Sequence, residues 1–161
     1  MGDPTGFMKV KRIDNIYRPT ELRVMDYREI EQMLPADERQ LQASRCMDCG
    51  IPFCHWGCPV SNLIPEWQHK LFDGDWEAAY QLLQKTNNFP EITGRICPAS
   101  CEASCVLEIN NEAVTIRANE LAIIEQAFEA GYVKPKPPTW RTGKKVAVIG
   151  SGPAGLACAD D

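Results

Sequence analysis

Long apolar runs, surplus basic charge and histidine are all scarce in this chain, and each scarcity removes a class of function. No stretch of its 161 residues approaches the length of a membrane-spanning helix. Acidic residues outnumber basic ones, 22 to 17, for a net charge of −5 and a pI near 5.1. A nucleic-acid partner calls for the opposite, a basic face. The opening Met1-Gly-Asp-Pro-Thr-Gly6 lacks the apolar core of a secretory signal. Gly6 also stands where a myristoylation pattern wants Ser or Thr. These features predict a cytoplasmic protein with no membrane and no nucleic acid among its partners. The two histidines, His55 and His69, receive no assigned role. Internal repeats and low-complexity segments are missing too.

Cysteine is what the chain has in quantity. Seven of its eight cysteines fall in two groups, Cys46, Cys49, Cys54 and Cys58, then Cys97, Cys101 and Cys105. In a reducing compartment such groups read as metal ligands before disulfides. The first run, C-x2-C-x4-C-x3-C followed by Pro59, resembles the iron–sulfur run of bacterial ferredoxins, in which the cysteine before proline ligates the other cluster. That resemblance implies one cubane on Cys46, Cys49 and Cys54, and a second on Cys58, Cys97 and Cys101. Cys105, one helical turn beyond Cys101, would cross back to complete the first. Seven thiolates leave a pair of cubanes, each needing four ligands, one ligand short. Zinc or a disulfide is the competing reading. A structural zinc site takes four Cys or His ligands, commonly in two C-x2-C-like pairs; only Cys46 and Cys49 have that spacing, and seven cysteines overshoot one site. Cys158 stands apart and reads as a small packing residue.

The coarse reading around these groups is helical. Residues 1 to about 25, mixed in charge and poor in apolar anchors, predict an extended arm. A helix starts at Pro35 or Ala36 and runs to the doorstep of Cys46; Pro65 opens another through Trp67 and Leu71. Asp75 is the N-cap of a third, from Trp76 to Leu83, ending before Asn87-Asn88. Short helical turns surround the second cysteine group, from Pro90 to Cys105. A longer helix spans Ile116 to Ala130, with Gly131 as terminator. One of its rows is Arg117, Leu121, Ile124 and Phe128; the neighbouring row is Ile116, Glu120, Ile123 and Ala127. Glu120 interrupts an apolar face, so its carboxylate must be paired, protonated or bound to metal. It is the best candidate for the missing ligand. His55, Glu102 and Glu108 are rivals, a three-iron cluster would need only three cysteines, and an ion pair with Arg117 is the purely structural alternative. Phe53, Trp56, Trp67 and Trp76 are expected to pack around the metal and keep water from it.

Pro135, Pro137, Pro138 and Gly143 mark a linker. Beyond it Val146-Ala-Val-Ile149 looks like a strand, and Gly150-x-Gly152-x-x-Gly155 opens a helix. That is the dinucleotide fingerprint in its proper context, with glycines for a tight turn and for close approach of a pyrophosphate. The expected class is therefore mainly α: residues 1–141 form a helical double-cluster iron–sulfur domain with its arm and linker. Residues 142–161 are the first βα unit of a truncated FAD-binding Rossmann-like domain.

The order of these motifs resembles the N-terminal part of the small (β) subunit of bacterial NADPH-dependent glutamate synthases. The residues that carry the likeness are Gly2-Asp-Pro-Thr-Gly-Phe7, Cys46-Met-Asp-Cys-Gly-Ile-Pro-Phe-Cys54, Cys58-Pro-Val60, Gly94-Arg-Ile-Cys-Pro98 and Val148-Ile-Gly-Ser-Gly-Pro-Ala-Gly155. The cluster motifs also resemble the N-terminal domain of dihydropyrimidine dehydrogenase and the large subunit of bifurcating ferredoxin–NADP transhydrogenases. The resemblance implies two [4Fe–4S] clusters, with FAD and NADPH bound by later domains. Electrons would pass from NADPH through FAD and the clusters to a large (alpha) subunit, whose FMN site completes glutamate synthesis from glutamine and 2-oxoglutarate. It implies the same exchanged ligand set, completed by a Gln or Glu from the helix after the last cysteine, where Glu120 falls. The Cys97-x3-Cys101 gap is shorter than that of the pyrimidine enzyme. The alternatives are the equivalent domain of those relatives, or a docking domain whose metal is structural.

Overall fold

Proline and aspartate stand at the starts of several of this chain's helices. The computed structural model describes residues 3–161; Met1 and Gly2, the second of which opens the terminal signature, lie outside that range. The arm departs from the extended segment expected of it. It folds into a short helix α1 (Gly6–Lys9), strand β1 (Ile16–Tyr17), helix α2 (Thr20–Arg23) and strand β2 (Glu31–Gln32). The strands pair antiparallel, Ile16 opposite Gln32 and Tyr17 opposite Glu31. Local polar contacts replace the missing apolar anchors. Asp3 accepts hydrogen bonds from the backbone and hydroxyl of Thr5 and from Lys9, and Arg18 grips both oxygens of Asp26 inside the connection between the strands.

The helical body follows as α3 (Ala36–Ala43), α4 (Phe53–Trp56), α5 (Ile64–Phe72), α6 (Trp76–Leu83), α7 (Pro90–Ile96), α8 (Ser100–Ala103), a 3-10 turn (Val106–Ile109) and α9 (Ile116–Glu129). Pro65 and Pro90 sit in the first turns of α5 and α7, where a missing N–H costs nothing. Asp75 caps α6 by accepting the Ala78 N–H at 3.1 Å. Gly131, at φ +70°, ends α9. The central helix is α9, which packs against α7, α6, α3, α5 and α8. Trp67, Leu71, Leu83, Ile116, Ile123 and Ile124 form the heart of the core, all of them fully buried.

Gly94 lets α7 and α9 meet closely. A Cβ there would lie 2.8 Å from the Cβ of Leu121 and 3.0 Å from its Cα. Helix propensity favours Ala over Gly by about 1 kcal/mol, yet overpacking of this kind costs about 1–3 kcal/mol. Gly94→Ala should therefore lower the unfolding midpoint in a denaturant titration. An unchanged or raised midpoint would mean that the two helices have slack between them.

Helix α3 carries an inverted face. Leu41 on it is half exposed, while Arg39, Gln42 and, just past its end, Arg45 are buried. These polar side chains hold the arm by its backbone. Gln42 accepts from the Ile13 N–H and donates to the Lys11 carbonyl, Arg45 donates to the Val10 carbonyl, and Arg39 donates to the side chain of Asn15.

No helix or strand separates α9 from α10 (Pro153–Asp160). The strand expected over Val146–Ile149 is not formed: Val146 and Ile149 are exposed, and no segment among the described residues pairs with them. A strand needs a ladder partner to satisfy its backbone, and here none is beside it. The glycine turn is nonetheless tight, with Gly150 at φ +112° and its carbonyl oxygen where a Cβ on Gly155 would have to go. Among the described residues no helix is long and apolar enough to cross a membrane.

Candidate metal centres

The end of α3 delivers Cys46, and a tight turn through Asp48, at φ +51°, brings Cys49 round beside it. Aspartate is one of the few residues that tolerate this left-handed conformation. Cys54 lies on the four-residue α4, and Cys105 follows α8. Together Cys46, Cys49, Cys54 and Cys105 line one pocket of about 380 Å³, open mouth included, walled by Ile64, Leu107, Val114 and Ile116. The last cysteine of the second group thus sits with the first three of the first group.

This wall disfavours free thiolates. Burial pushes the Cys46 and Cys54 thiols up to about 12, and neighbouring thiolates, Cys105 among them, push the same way. Cys49 is raised for the same reason. Four thiolates can coexist in such a place only against a strong positive charge, which bound iron would supply. A zinc site would gather its ligands within about 2.3 Å of one ion. Four cysteines around one pocket are a donor set that fits a polynuclear cluster.

The second site lies where α4 packs on α8. The Ser100 hydroxyl donates to the Gly57 carbonyl at 2.6 Å, and the Ala99 N–H donates to Cys97 Sγ at 3.4 Å. Cys101 is buried. Burial drives its thiol upward, and the negative charges of Glu102, Cys58, Cys97 and Glu120 add to the effect. Those partners bring the remaining cysteines and the odd carboxylate of α9 into one electrostatic neighbourhood.

Glu120 is 7 % exposed. Its Oε1 accepts from Asn87 Nδ2 at 3.1 Å and from Thr93 Oγ1 at 2.5 Å, and its Oε2 accepts from Asn62 Nδ2 at 3.1 Å. Asn62 is held in turn by Thr86, whose hydroxyl donates to its Oδ1. Burial still pushes the carboxyl up to about 7, against the hydrogen bonds from Thr93 and Asn87 and the charge of Arg117. The Arg117 ion pair offered by the sequence is not made. That guanidinium grips Glu31 at 2.9 Å and the Gly94 carbonyl at 2.6 Å. The rival ligands have partners of their own: His55 Nε2 accepts the Ile64 N–H, Glu102, beside Cys101, pairs with Arg12, and Glu108 accepts the Ala113 N–H.

Three side chains of the carboxylate's cage, Asn62, Asn87 and Thr93, carry no signal in the sequence that marks them as site residues. Asn87 stands out there only as a helix stop. The aromatic shield is also smaller than expected. Trp67 is fully buried, but Trp56 is 79 % exposed and Phe53 about half exposed. The two meet edge to face, centroids 5.7 Å apart, and of the pair Phe53 lines the first cysteine pocket.

Four cysteines from both sequence groups, gathered on one pocket in a helical body, point to the class of iron–sulfur proteins. Residues 23–132 match the family described as dihydropyrimidine dehydrogenase domain II, 4Fe-4S cluster, and the chain belongs to that family. It is 54 % identical over 160 residues to the glutamate synthase [NADPH] small chain of Mycobacterium tuberculosis, an alignment covering 99 % of this chain and 33 % of that one. The small chain of Bacillus subtilis is 49 % identical over 169 aligned positions, covering 99 % of this chain and 34 % of its own length. The glutamate synthase [NADH] of Schizosaccharomyces pombe is 50 % identical over 157 residues, 96 % of this chain but 7 % of that protein. The chain therefore spans about a third of the length of its small-chain relatives.

Proposed function

We propose that this chain is the electron-transfer domain of a glutamate synthase small subunit. It would carry two [4Fe–4S] clusters between an NADPH-reduced FAD and the FMN of a large subunit, for glutamate synthesis from glutamine and 2-oxoglutarate. Cys46, Cys49, Cys54 and Cys105 hold one cluster; Cys58, Cys97, Cys101 and Glu120 hold the other. The observation that carries the reading is that Cys105, from the second sequence group, lines the same pocket as Cys46, Cys49 and Cys54.

When bound, the clusters supply one-electron carriers that make and break no bonds in the substrate. The chain's own residues place the ligands, exclude water with the Ile64, Leu107 and Val114 wall, and hold the Glu120 carboxylate in one orientation through three donors. Residues 1–141 form this domain. Residues 142–161 begin the FAD-binding unit, with Gly150, Gly152 and Gly155 at the pyrophosphate. The small-chain names of the bacterial relatives support a large partner chain, and in the fission-yeast protein the matched segment is part of one very long chain.

Iron and acid-labile sulfide, measured on the full small chain after anaerobic purification, test the reading. About eight of each per chain are expected, with an electron paramagnetic resonance signal on reduction. Stoichiometric zinc, or disulfides without metal, would overturn it in favour of a structural docking domain.

A further inference from the structure

Thr93 joins two of the proposed ligands of the second metal site. Its carbonyl accepts the Cys97 N–H at 2.9 Å, the bond that closes α7. Its hydroxyl lies 2.5 Å from Glu120 Oε1 and 2.7 Å from Asn87 Nδ2. A hydroxyl has one proton to give. The Asn87 amide cannot receive it, because the Phe89 N–H donates to Asn87 Oδ1 at 3.1 Å and so fixes Nδ2 toward Thr93. The remaining acceptors are Glu120 Oε1 and, at 3.3 Å, the Phe89 carbonyl; the shorter contact takes the proton. By accepting from Asn87 while giving to Glu120, the hydroxyl becomes a polarised donor. A separate tie holds the helix of Glu120 against the second cysteine group. The Arg117 N–H, in the first turn of α9, donates to Glu102 Oε1 at 3.0 Å, and Glu102 follows Cys101.

We propose that Thr93 is a positioning residue of the second metal site, whose hydroxyl fixes the Glu120 carboxylate and draws charge from it, so that the reduced form of the cluster is favoured there. The inference rests on the reading that Cys58, Cys97, Cys101 and Glu120 hold a cluster. A carboxylate ligand adds negative charge, which resists an incoming electron. A hydrogen bond given to that carboxylate drains part of the charge, and it strengthens as the electron arrives. Partners that orient a ligating carboxylate tune its metal in this way. Because one residue holds both Cys97 and Glu120, it also sets the place of the carboxylate relative to a thiolate of the same site.

The test compares Thr93→Val with Thr93→Ser in the full small chain, by iron analysis and a dithionite titration followed by electron paramagnetic resonance. Valine keeps the branched shape and the backbone bond to Cys97 but removes the donor; serine keeps the donor. A Cys49→Ala variant, lacking the first cluster, assigns the second-site signal. Thr93→Val is expected to lower the reduced-to-oxidised ratio of that signal about tenfold at fixed poise, ~59 mV for one electron. Thr93→Ser should retain most of the wild-type ratio, and the first-site signal should stay put. An unmoved second signal at full iron content, an equal shift in both signals, or a Ser variant that falls as far as Val would overturn the proposal. Loss of about four irons from Thr93→Val with the first signal intact would support it, since the damage is then confined to the second site. Loss of both clusters, or of the fold, would make Thr93 a residue of the α7–α9 packing and sink the idea. Full iron in Glu120→Ala would defeat the ligand reading itself, and wild-type protein without iron the cluster reading, which are different results.

Discussion

Cys105→Ala should cost the chain the cluster of the first cysteine group, and Cys58→Ala should cost it the cluster of the second. Each variant is expected to keep about four irons per chain out of about eight. In its reduced-state spectrum Cys105→Ala should match Cys49→Ala, and Cys58→Ala should match Cys101→Ala. Position in the sequence argues the reverse, since Cys105 lies four residues beyond Cys101 and Cys58 four beyond Cys54. The reason to expect the exchange is local. Helix α8 ends at Ala103, and the chain then turns so that Cys105 joins Val106 and Leu107 in the wall of the first pocket. Helix α4 meanwhile leans on α8, which carries Cys58 toward Cys101. Spectra that pair Cys105→Ala with Cys101→Ala would refute the exchange while leaving cluster binding in place.

Glu120→Ala should remove the second cluster, a loss of about four irons per chain, while Glu120→Gln should retain most of it. Alanine deletes the only carboxylate that α9 presents to this site. It also strands three donors, on Asn62, Asn87 and Thr93, at a cost of about 1–3 kcal/mol for each that stays buried and unsatisfied. Glutamine keeps an oxygen for Asn87 and Thr93 but turns an amide toward Asn62, so some loss of stability is expected without loss of the metal. Full iron in Glu120→Ala would hand the ligand role to another group. About seven irons in the unaltered chain would favour a three-iron second cluster that needs no carboxylate.

The helices were legible because their starts and stops are local. Pro65, Asp75 and Gly131 act within one turn of where they stand, and each marks the boundary the structure has. The cysteine spacing was legible for the same reason. What escaped the sequence depends on contacts between distant segments. The face of α3 built from Arg39, Gln42 and Arg45 looks like a solvated surface when read alone. It is buried because those side chains satisfy the backbone and side chains of residues 10–15, a stretch with no amphipathic pattern to announce it. The arm's two short strands and two helical turns likewise depend on pairs such as Arg18 with Asp26. For Glu120, the break in an apolar row was visible, but its companions came from three separate segments. The run from Val146 to Ile149 failed as a strand because a β-prone residue run supplies no ladder partner.

The interleaving of the two cysteine groups bears on how such a chain is made. As it leaves the ribosome, the first four cysteines emerge together as a ferredoxin-like run, yet they make up neither of the proposed sites. The first set waits for Cys105 and the second for Glu120, at the middle of the last core helix. Neither set is complete until the stretch that separates them has been synthesised and folded back. A nascent chain that stalls between Cys58 and Cys97 thus offers no finished cage to a scaffold delivering iron and sulfide. Assembly of the two proposed centres would then report on the integrity of the whole helical body.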